Sequence, residues 1–396
     1  MKILIVCQQY APDNFRINEI SKELAARGHR VTVLTGLPDY ATGRVPEEYR
    51  HGRRRDEMID GVHVIRKPIV ARRTGVLWRG LNYLSFLFSS TWYATFCKEK
   101  DYDVIVCYQL SPITMANAAV KMKKRTGKKL CLYCLDLWPE SLKAWHVKES
   151  SPLFKCVHSY SKKIYAHCDR IGITSQPFRE YLTKVNHVSD DKIVYLPQHA
   201  DRIPIPDKPL PQPGEPIHLG FCGNVGSVQD VACIVRAAKE LSDLPQVHLD
   251  IYGDGSELEN CKALARELEV ENAVHFHGRV PLETLHKKFE SLDGFLLTLK
   301  AEGFVGATMP AKLQEYMAAG KPVFGAIGGA AAQVIEQAEC GRVCPPSDYK
   351  ALGRAIREFA ENPQAFAACG KNARRYFEEY FTLEAFMQGF EKLLDC

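Results

Sequence analysis

A chain of 396 residues is too long for one ordinary α/β core, so two domains are expected. Hydrophobic residues make up 46% and charged residues 25%, and no repeat or low-complexity tract is visible, which excludes disordered, fibrous and repeat architectures. The net charge of +5 is local, because ten Lys/Arg face five Asp/Glu between Arg44 and Arg79. A localised positive field points to an anionic partner such as a phosphate-bearing lipid surface, with no nucleic acid expected.

The chain opens on the apolar strand 2–7 without a charged leader or cleavage site, so no signal peptide is expected. Most of the fourteen cysteines sit in apolar runs (Cys7, Cys107, Cys222) as small buried hydrophobes, consistent with a reducing, cytoplasmic setting. Strands are predicted at 2–7, 30–36, 61–68, 102–108, 128–135, 170–175 and 192–198. A second block lies at 216–222, 247–252, 274–278, 294–299, 322–326 and 340–344. Helical periods fill most gaps, among them 15–28, 228–243, 256–269 and 309–319. Such alternation means parallel sheets and two doubly wound domains. Residues 201–216 hold six prolines and one glycine and read as the linker between domains 1–200 and 217–375. Residues 376–396 form two short amphipathic helices with no strand of their own.

Gly80–Cys97 carries no charge for 18 residues but is diluted by Asn82, Ser85, Ser89, Ser90, Thr91 and Thr95. A span would divide one sheet across a bilayer. An interfacial helix flanked by Arg72, Arg73 and Arg79 is the favoured reading, with core burial and a true span as the alternatives. Two other patterns carry little. Asp101-Tyr102-Asp103 lies at the amino edge of a strand, away from the ligand edge of a parallel sheet. Cys131 and Cys134 lie within one apolar strand, where i and i+3 face opposite sides, so no metal is expected.

The segment Ala301–Gly329 comes after a strand and opens a helix, with Pro310 in the first turn. Free N–H groups near Thr308 and Met309 would form an anion site. Lys312 opposes the helix dipole, a cost that a bound diphosphate would reverse. Glu315 is on the same face and can accept both hydroxyls of a ribose. The plain alternative is a surface pair on an amphipathic helix. Arg16, near the first helix start, also favours an anion. Asp136, in Asp-Leu-Trp-Pro-Glu after strand 128–135, is the first candidate for a base or orienter, with Glu140 second, unless Asp136 merely caps the next helix.

The run PAKLQEYMAAGKPV resembles the donor-binding signature of glycosyltransferase family 4, in the branch that builds O-antigens, colanic acid and capsules and includes fucosamine transferases. FRINEISKELAARGHRVTVLTGLPDY, LDLWPES, FCGNVG and AECGRVCPPSDYKAL resemble further segments of that branch in the same order. The resemblance implies a GT-B fold, α/β, with two Rossmann-like domains facing across a cleft. The C-terminal helices would cross back to the N-terminal domain. It also implies retention of anomeric configuration, no metal and no cofactor beyond the nucleotide-sugar substrate.

The sequence departs from the family at two places. Counting back from Glu315, Ala307 stands where the family has its first glutamate. Glu302, five residues earlier, is the nearest carboxylate that could meet the donor sugar. The turn after strand 216–222 offers Gly223, Asn224 and Gly226 but none of the cations many relatives place there. Lys312 and Arg279 then become the phosphate partners, although Arg279 reads equally well as a surface arginine.

The reading is a transferase moving a hexosyl or N-acetylhexosaminyl group from a UDP- or GDP-sugar to a polyprenyl diphosphate-linked acceptor. It would sit in the cytoplasm, peripheral on the inner face of the plasma membrane. Another GT-B enzyme, such as a nucleotide-sugar epimerase, and a non-catalytic partner subunit are the rivals.

Overall fold

Every apolar run marked as a strand forms one in the computed structural model, which describes residues 1–73, 75–145, 147–206, 208–301 and 309–395. The chain divides into two units, Met1–Leu196 with Met387–Cys396, and Pro197–Phe386.

The first unit runs β1 (Lys2–Val6), α1 (Arg16–Ala26), β2 (Arg30–Gly36), β3 (Asp56–Ile59), β4 (Val62–Lys67), α2 (Val76–Phe96) and β5 (Val104–Gln109). It continues with α3 (Ala116–Thr126), β6 (Lys129–Cys134), α4 (Pro152–His167), β7 (Arg170–Ile173), α5 (Pro177–Lys184) and β8 (Ile193–Tyr195). The sheet order is β3-β4-β2-β1-β5-β6-β7-β8, parallel except at β3–β4. Strands covered on both faces are apolar throughout, so β1 and β5 were legible as uninterrupted runs. β3 was not predicted, because it is a short edge strand of sequence Asp-Glu-Met-Ile. It pairs with β4 through Asp60-Gly61, both at positive φ (48° and 81°), the backbone of a two-residue hairpin turn.

The second unit runs β9 (Ile217–Cys222), α6 (Val231–Lys239), β10 (Val247–Tyr252), α7 (Leu258–Glu267), β11 (Val274–Gly278), α8 (Leu282–Ser291) and β12 (Gly294–Thr298). Then come α9 (Ala311–Ala319), β13 (Val323–Ala326), α10 (Gly329–Gln337), β14 (Gly341–Cys344), α11 (Tyr349–Glu361) and α12 (Ala367–Tyr380), while α13 (Leu383–Leu394) begins in this unit and belongs to the first from Met387. Its order, β11-β10-β9-β12-β13-β14, is all parallel and reverses direction between β9 and β12. The first unit reverses in the same way between β1 and β5. Ligands of such sheets sit beyond the carboxyl ends of the strands at the reversal.

The unit boundaries differ from those read in the sequence. Ile203 and Ile205, within the proline-rich stretch, are buried in the second unit's core with Phe295 and Tyr316, so this stretch packs rather than hangs free. Phe377 and Phe381 belong to the same core, and the chain joins the first unit only from Met387, not from 376. There the Phe390 ring meets Tyr133 edge-on at 6.3 Å, and the Cys131 thiol donates to the Leu393 carbonyl at 3.2 Å. No helix among the described residues is long and apolar enough to cross a membrane.

Candidate functional site

In the second unit, three strand ends are laced together where β9, β10 and β11 stop. The Gly223 N–H donates to the Tyr252 carbonyl (2.8 Å), Val225 N–H to Asp254 (2.9 Å) and Gly253 N–H to Gly278 (2.8 Å). The lacing demands glycine. A Cβ on Gly253 would lie 1.8 Å from the Gly223 oxygen, and Gly223 itself has φ +141°. Gly223, Asn224, Tyr252, Gly253, Asp254 and Arg279 line a cavity of about 390 Å³ at this edge. Gly226 is hemmed in by the side chains of Asn224 and Gln229, which hydrogen-bond each other at 3.1 Å.

Lys312 lies across this turn. A Cβ on Gly223 would meet its Cε at 2.7 Å and its Nζ at 3.0 Å. The ammonium sits 3.7 Å above the centre of the Phe221 ring, shut off from solvent, with no hydrogen-bond partner among the described residues. Burial pulls its pKa down from 10.5 to about 8, opposed by the negative charges of Cys222 and Glu315 in their ionised forms. Glu315 lies at i+3 on α9. Pro310 is the residue before the helix rather than within its first turn, and its carbonyl accepts the Leu313 N–H (3.0 Å). Met309 packs on the core beside α9. Glu302 and Thr308 lie outside the described residues.

Two residues of this edge escaped the sequence reading. The Tyr316 hydroxyl accepts the Cys222 N–H at 2.8 Å while its ring stacks on Phe295 at 4.1 Å, so α9 is bolted to the end of β9. Tyr252 stacks on His277 at 4.4 Å, and Asp250 behind it accepts from His277 Nε2 (2.6 Å) and His218 Nδ1 (2.9 Å). Burial works to raise the Asp250 pKa, but these bonds hold its carboxyl below the usual range. The only local signal was Tyr-Gly-Asp-Gly at the end of a predicted strand.

In the first unit, Asp136 comes after β6 and accepts from the Ser111 hydroxyl at 2.7 Å; the Trp138 indole N–H donates to the same hydroxyl at 3.2 Å. The Asp136 side chain is therefore oriented by the end of β5, not spent on capping a helix. Burial raises its pKa above the ordinary carboxylate range, opposed by the Ser111 bonds. Glu140 is buried and ion-paired with Lys143 at 2.5 Å, so it is committed to local structure. Arg16 pairs with Glu19 at 3.2 Å along α1.

The basic run resolves into two populations. Arg50 and Arg53 pair with Glu47, and Arg54 and the fully buried Arg66 pair with Glu57. Arg44, Arg72, Arg73 and Arg79 line a cavity of about 960 Å³, and Arg50 reaches its wall while paired with Glu47. Gly80–Cys97 belongs to one 21-residue helix, α2, and its capping residue; the exposed Leu77, Leu81, Leu84, Phe88, Trp92 and Phe96 recur along it at intervals of three or four. Such spacing is one face of a helix.

Two doubly wound parallel-sheet units, with a glycine turn and a buried lysine at the reversal of the second sheet, are the architecture of the GT-B fold. Residues 14–199 match the model of a glycosyl transferase 4-like domain, and residues 204–376 that of glycosyl transferases group 1. The chain thus carries a glycosyl transferase 4-like domain followed by a glycosyl transferases group 1 domain. It is 28% identical over 273 residues to "Probable glycosyltransferase WbjE" of Pseudomonas aeruginosa, covering 66% of this chain and 67% of that one. It is 24% identical over 238 residues to the lipopolysaccharide 1,6-galactosyltransferase of Salmonella typhimurium, covering 58% and 57%. In structure it is similar to HepE of Anabaena in complex with UDP, with a TM-score of 0.70 at 16% identity over 100% of this chain and 99% of the other.

Proposed function

We propose that the protein transfers a hexosyl or N-acetylhexosaminyl group, with retention and without a metal, from a UDP- or GDP-sugar to a polyprenyl diphosphate-linked saccharide. The setting is the assembly of a cell-surface polysaccharide at the inner face of the plasma membrane. The observation that carries the reading is the buried Lys312 ammonium, which lies against the Gly223 turn without a hydrogen bond among the described residues. An isolated buried cation is unfavourable until an anion reaches it.

The diphosphate is assigned to the backbone around Gly223 and Asn224, with Lys312 and Arg279 supplying the charge that a metal supplies elsewhere. Met309 offers an amide just before the α9 start, Gly226 keeps the turn close, and Glu315 takes the ribose hydroxyls. Glu302 is the carboxylate proposed for the donor sugar in the absence of one at Ala307. Asp136, held by Ser111, orients the acceptor hydroxyl. In the transfer step the bond from the anomeric carbon to the diphosphate oxygen breaks and the acceptor oxygen bonds to that carbon on the same face. The acceptor proton passes to the departing diphosphate, so no enzyme nucleophile is needed. The bound UDP of the HepE structure and the galactosyl transfer named for the Salmonella relative support this class of donor.

The test incubates the protein with UDP- and GDP-sugars and a lipid-linked saccharide, with and without EDTA, and determines the anomeric configuration of the product by NMR. An α-linked product from an α-donor, formed equally with EDTA, is expected. An inverted product or loss of turnover with EDTA would overturn the mechanism, and no transfer from any nucleotide-sugar would overturn the activity.

A further inference from the structure

The cavity of about 960 Å³ in the first unit has five arginines in its wall (Arg44, Arg50, Arg72, Arg73 and Arg79), of which Arg50 is paired with Glu47, and no acidic residue among those that line it. Its loops are tied down from behind. Asp13 accepts the N–H groups of Asp39, Tyr40 and Ala41 at 3.1–3.2 Å. Asp39, itself buried, accepts the Arg72 N–H at 2.6 Å and the side-chain amide of Asn82 at 2.9 Å. Both carboxylates hold backbone N–H groups, so they fix the arginine-bearing loops through the main chain rather than through the guanidinium groups. Gly43, at φ +69°, permits the close approach, since a Cβ there would meet the Arg72 carbonyl at 2.9 Å. The Arg72 guanidinium lies 4.7 Å from the Tyr40 ring centre and that of Arg73 4.5 Å from the Trp78 ring centre. Stacked, planar, preoriented guanidinium groups are suited to bidentate recognition of phosphate oxygens.

Asn82 also joins this cavity to the apolar stripe. It is fully buried on α2, and the opposite face of the same helix exposes Leu77, Leu81, Leu84, Phe88 and Trp92. Arg73 and Arg79 flank the amino end of that stripe. Continued to the exposed Phe96, the stripe runs for roughly 28 Å at the α-helical rise, long enough to lie along a membrane surface.

We propose that this cavity binds the diphosphate headgroup of the lipid-linked acceptor, while the exposed face of α2 enters the bilayer that carries the lipid tail. The proposal rests on the lipid-linked acceptor of the proposed function and gives that acceptor a specific site. Membrane attachment is then headgroup recognition by an arginine-lined cavity rather than diffuse attraction to negative charge. The volume also leaves room for the first sugar beyond the diphosphate, within the range of pockets that enclose small ligands.

The test measures binding of the full chain to neutral phosphatidylcholine vesicles doped with a few mole per cent of polyprenyl diphosphate. Vesicles given equal charge with phosphatidylglycerol are the comparison, and soluble pyrophosphate is the competitor. Binding to the diphosphate vesicles should be roughly tenfold tighter or more, and pyrophosphate should displace it. Arg44 and Arg73 lie outside the buried core, so the R44A/R73A double variant should fold. It should lose at least that factor while binding UDP or GDP as the parent does. The F88S/W92S double variant should bind pyrophosphate normally and lose the vesicles. Equal binding to charge-matched vesicles, or parental binding by R44A/R73A, would overturn the headgroup site; retained vesicle binding by F88S/W92S would overturn the role of α2. Nucleotide affinity is read separately, so failure of the donor site would not be mistaken for failure of this one.

Discussion

Replacing Lys312 with methionine separates its role in the empty protein from its role in the complex. Methionine keeps the apolar stem above the Phe221 ring and removes the charge. The fall of the ammonium pKa from 10.5 to about 8 corresponds to about 3 kcal/mol favouring the neutral form in the fold. The ligand-free variant should therefore be more stable than the parent near neutral pH, by up to that amount. Affinity for UDP or GDP should fall by roughly tenfold to a hundredfold, the loss of a charge-assisted contact worth about 1.5–3 kcal/mol. The pH dependence has a fixed sign. The unfolded chain holds the proton to higher pH than the folded one, so this residue's contribution to ligand-free stability rises as pH climbs from about 8 toward 10.5. A diphosphate binds the charged form, so affinity should be level below about 8, decline above it and be accompanied by proton uptake. Calorimetry in buffers of different ionisation enthalpy measures that uptake, and thermal unfolding with and without nucleotide measures the rest. Parental affinity in the variant, or affinity that stays level through pH 8 to 10, would refute the placement of the phosphates at Lys312.

Glu315→Gln should weaken binding of the preferred nucleoside diphosphate by about tenfold or more and nearly abolish transfer; unchanged affinity in a titration would refute its contact with the ribose. Tyr316→Phe deletes the hydroxyl that accepts the Cys222 N–H, and should lower stability by about 1–3 kcal/mol in denaturant unfolding through the orphaned donor. Gly253→Ala should reduce both stability and nucleotide affinity, because its Cβ cannot coexist with the Gly223 carbonyl at 1.8 Å; equal binding would show that the turn is not part of the site. Asp136→Asn should cut the rate of transfer while leaving UDP or GDP affinity unchanged, as steady-state kinetics beside calorimetry would show.

The strands were legible because parallel sheets covered on both faces write themselves as apolar runs, and β9 and β12 are such runs. β3 was not, since an edge strand needs no apolar face, and its one mark was the Asp60-Gly61 turn. That Lys312 and Glu315 share one face of α9 was legible from their i, i+3 spacing, which also reads as a surface pair, but the burial of the Lys312 ammonium shows only in the fold. Tyr316 was invisible because its partner, Cys222, lies 94 residues away. The basic run gave the correct sum of charge but not its division. Pairing with Glu47 and Glu57 engages Arg50, Arg53, Arg54 and Arg66, and only folding brings Arg44 beside Arg72 and Arg73. The surface position of α2 could be suspected from its polar dilution, but its exposed stripe required knowing which face Asn82 anchors.

The central claim is that the nucleotide-sugar binds at the laced strand ends of the second unit. Hydrogen–deuterium exchange of the full chain with saturating UDP or GDP tests it most directly. Slowed exchange is predicted at residues 222–226, 252–255 and 311–316, where the backbone of the Gly223 turn, the Gly253 turn and the start of α9 would close on the diphosphate. Protection confined to the first unit, or none at these segments under saturating nucleotide, would contradict the account.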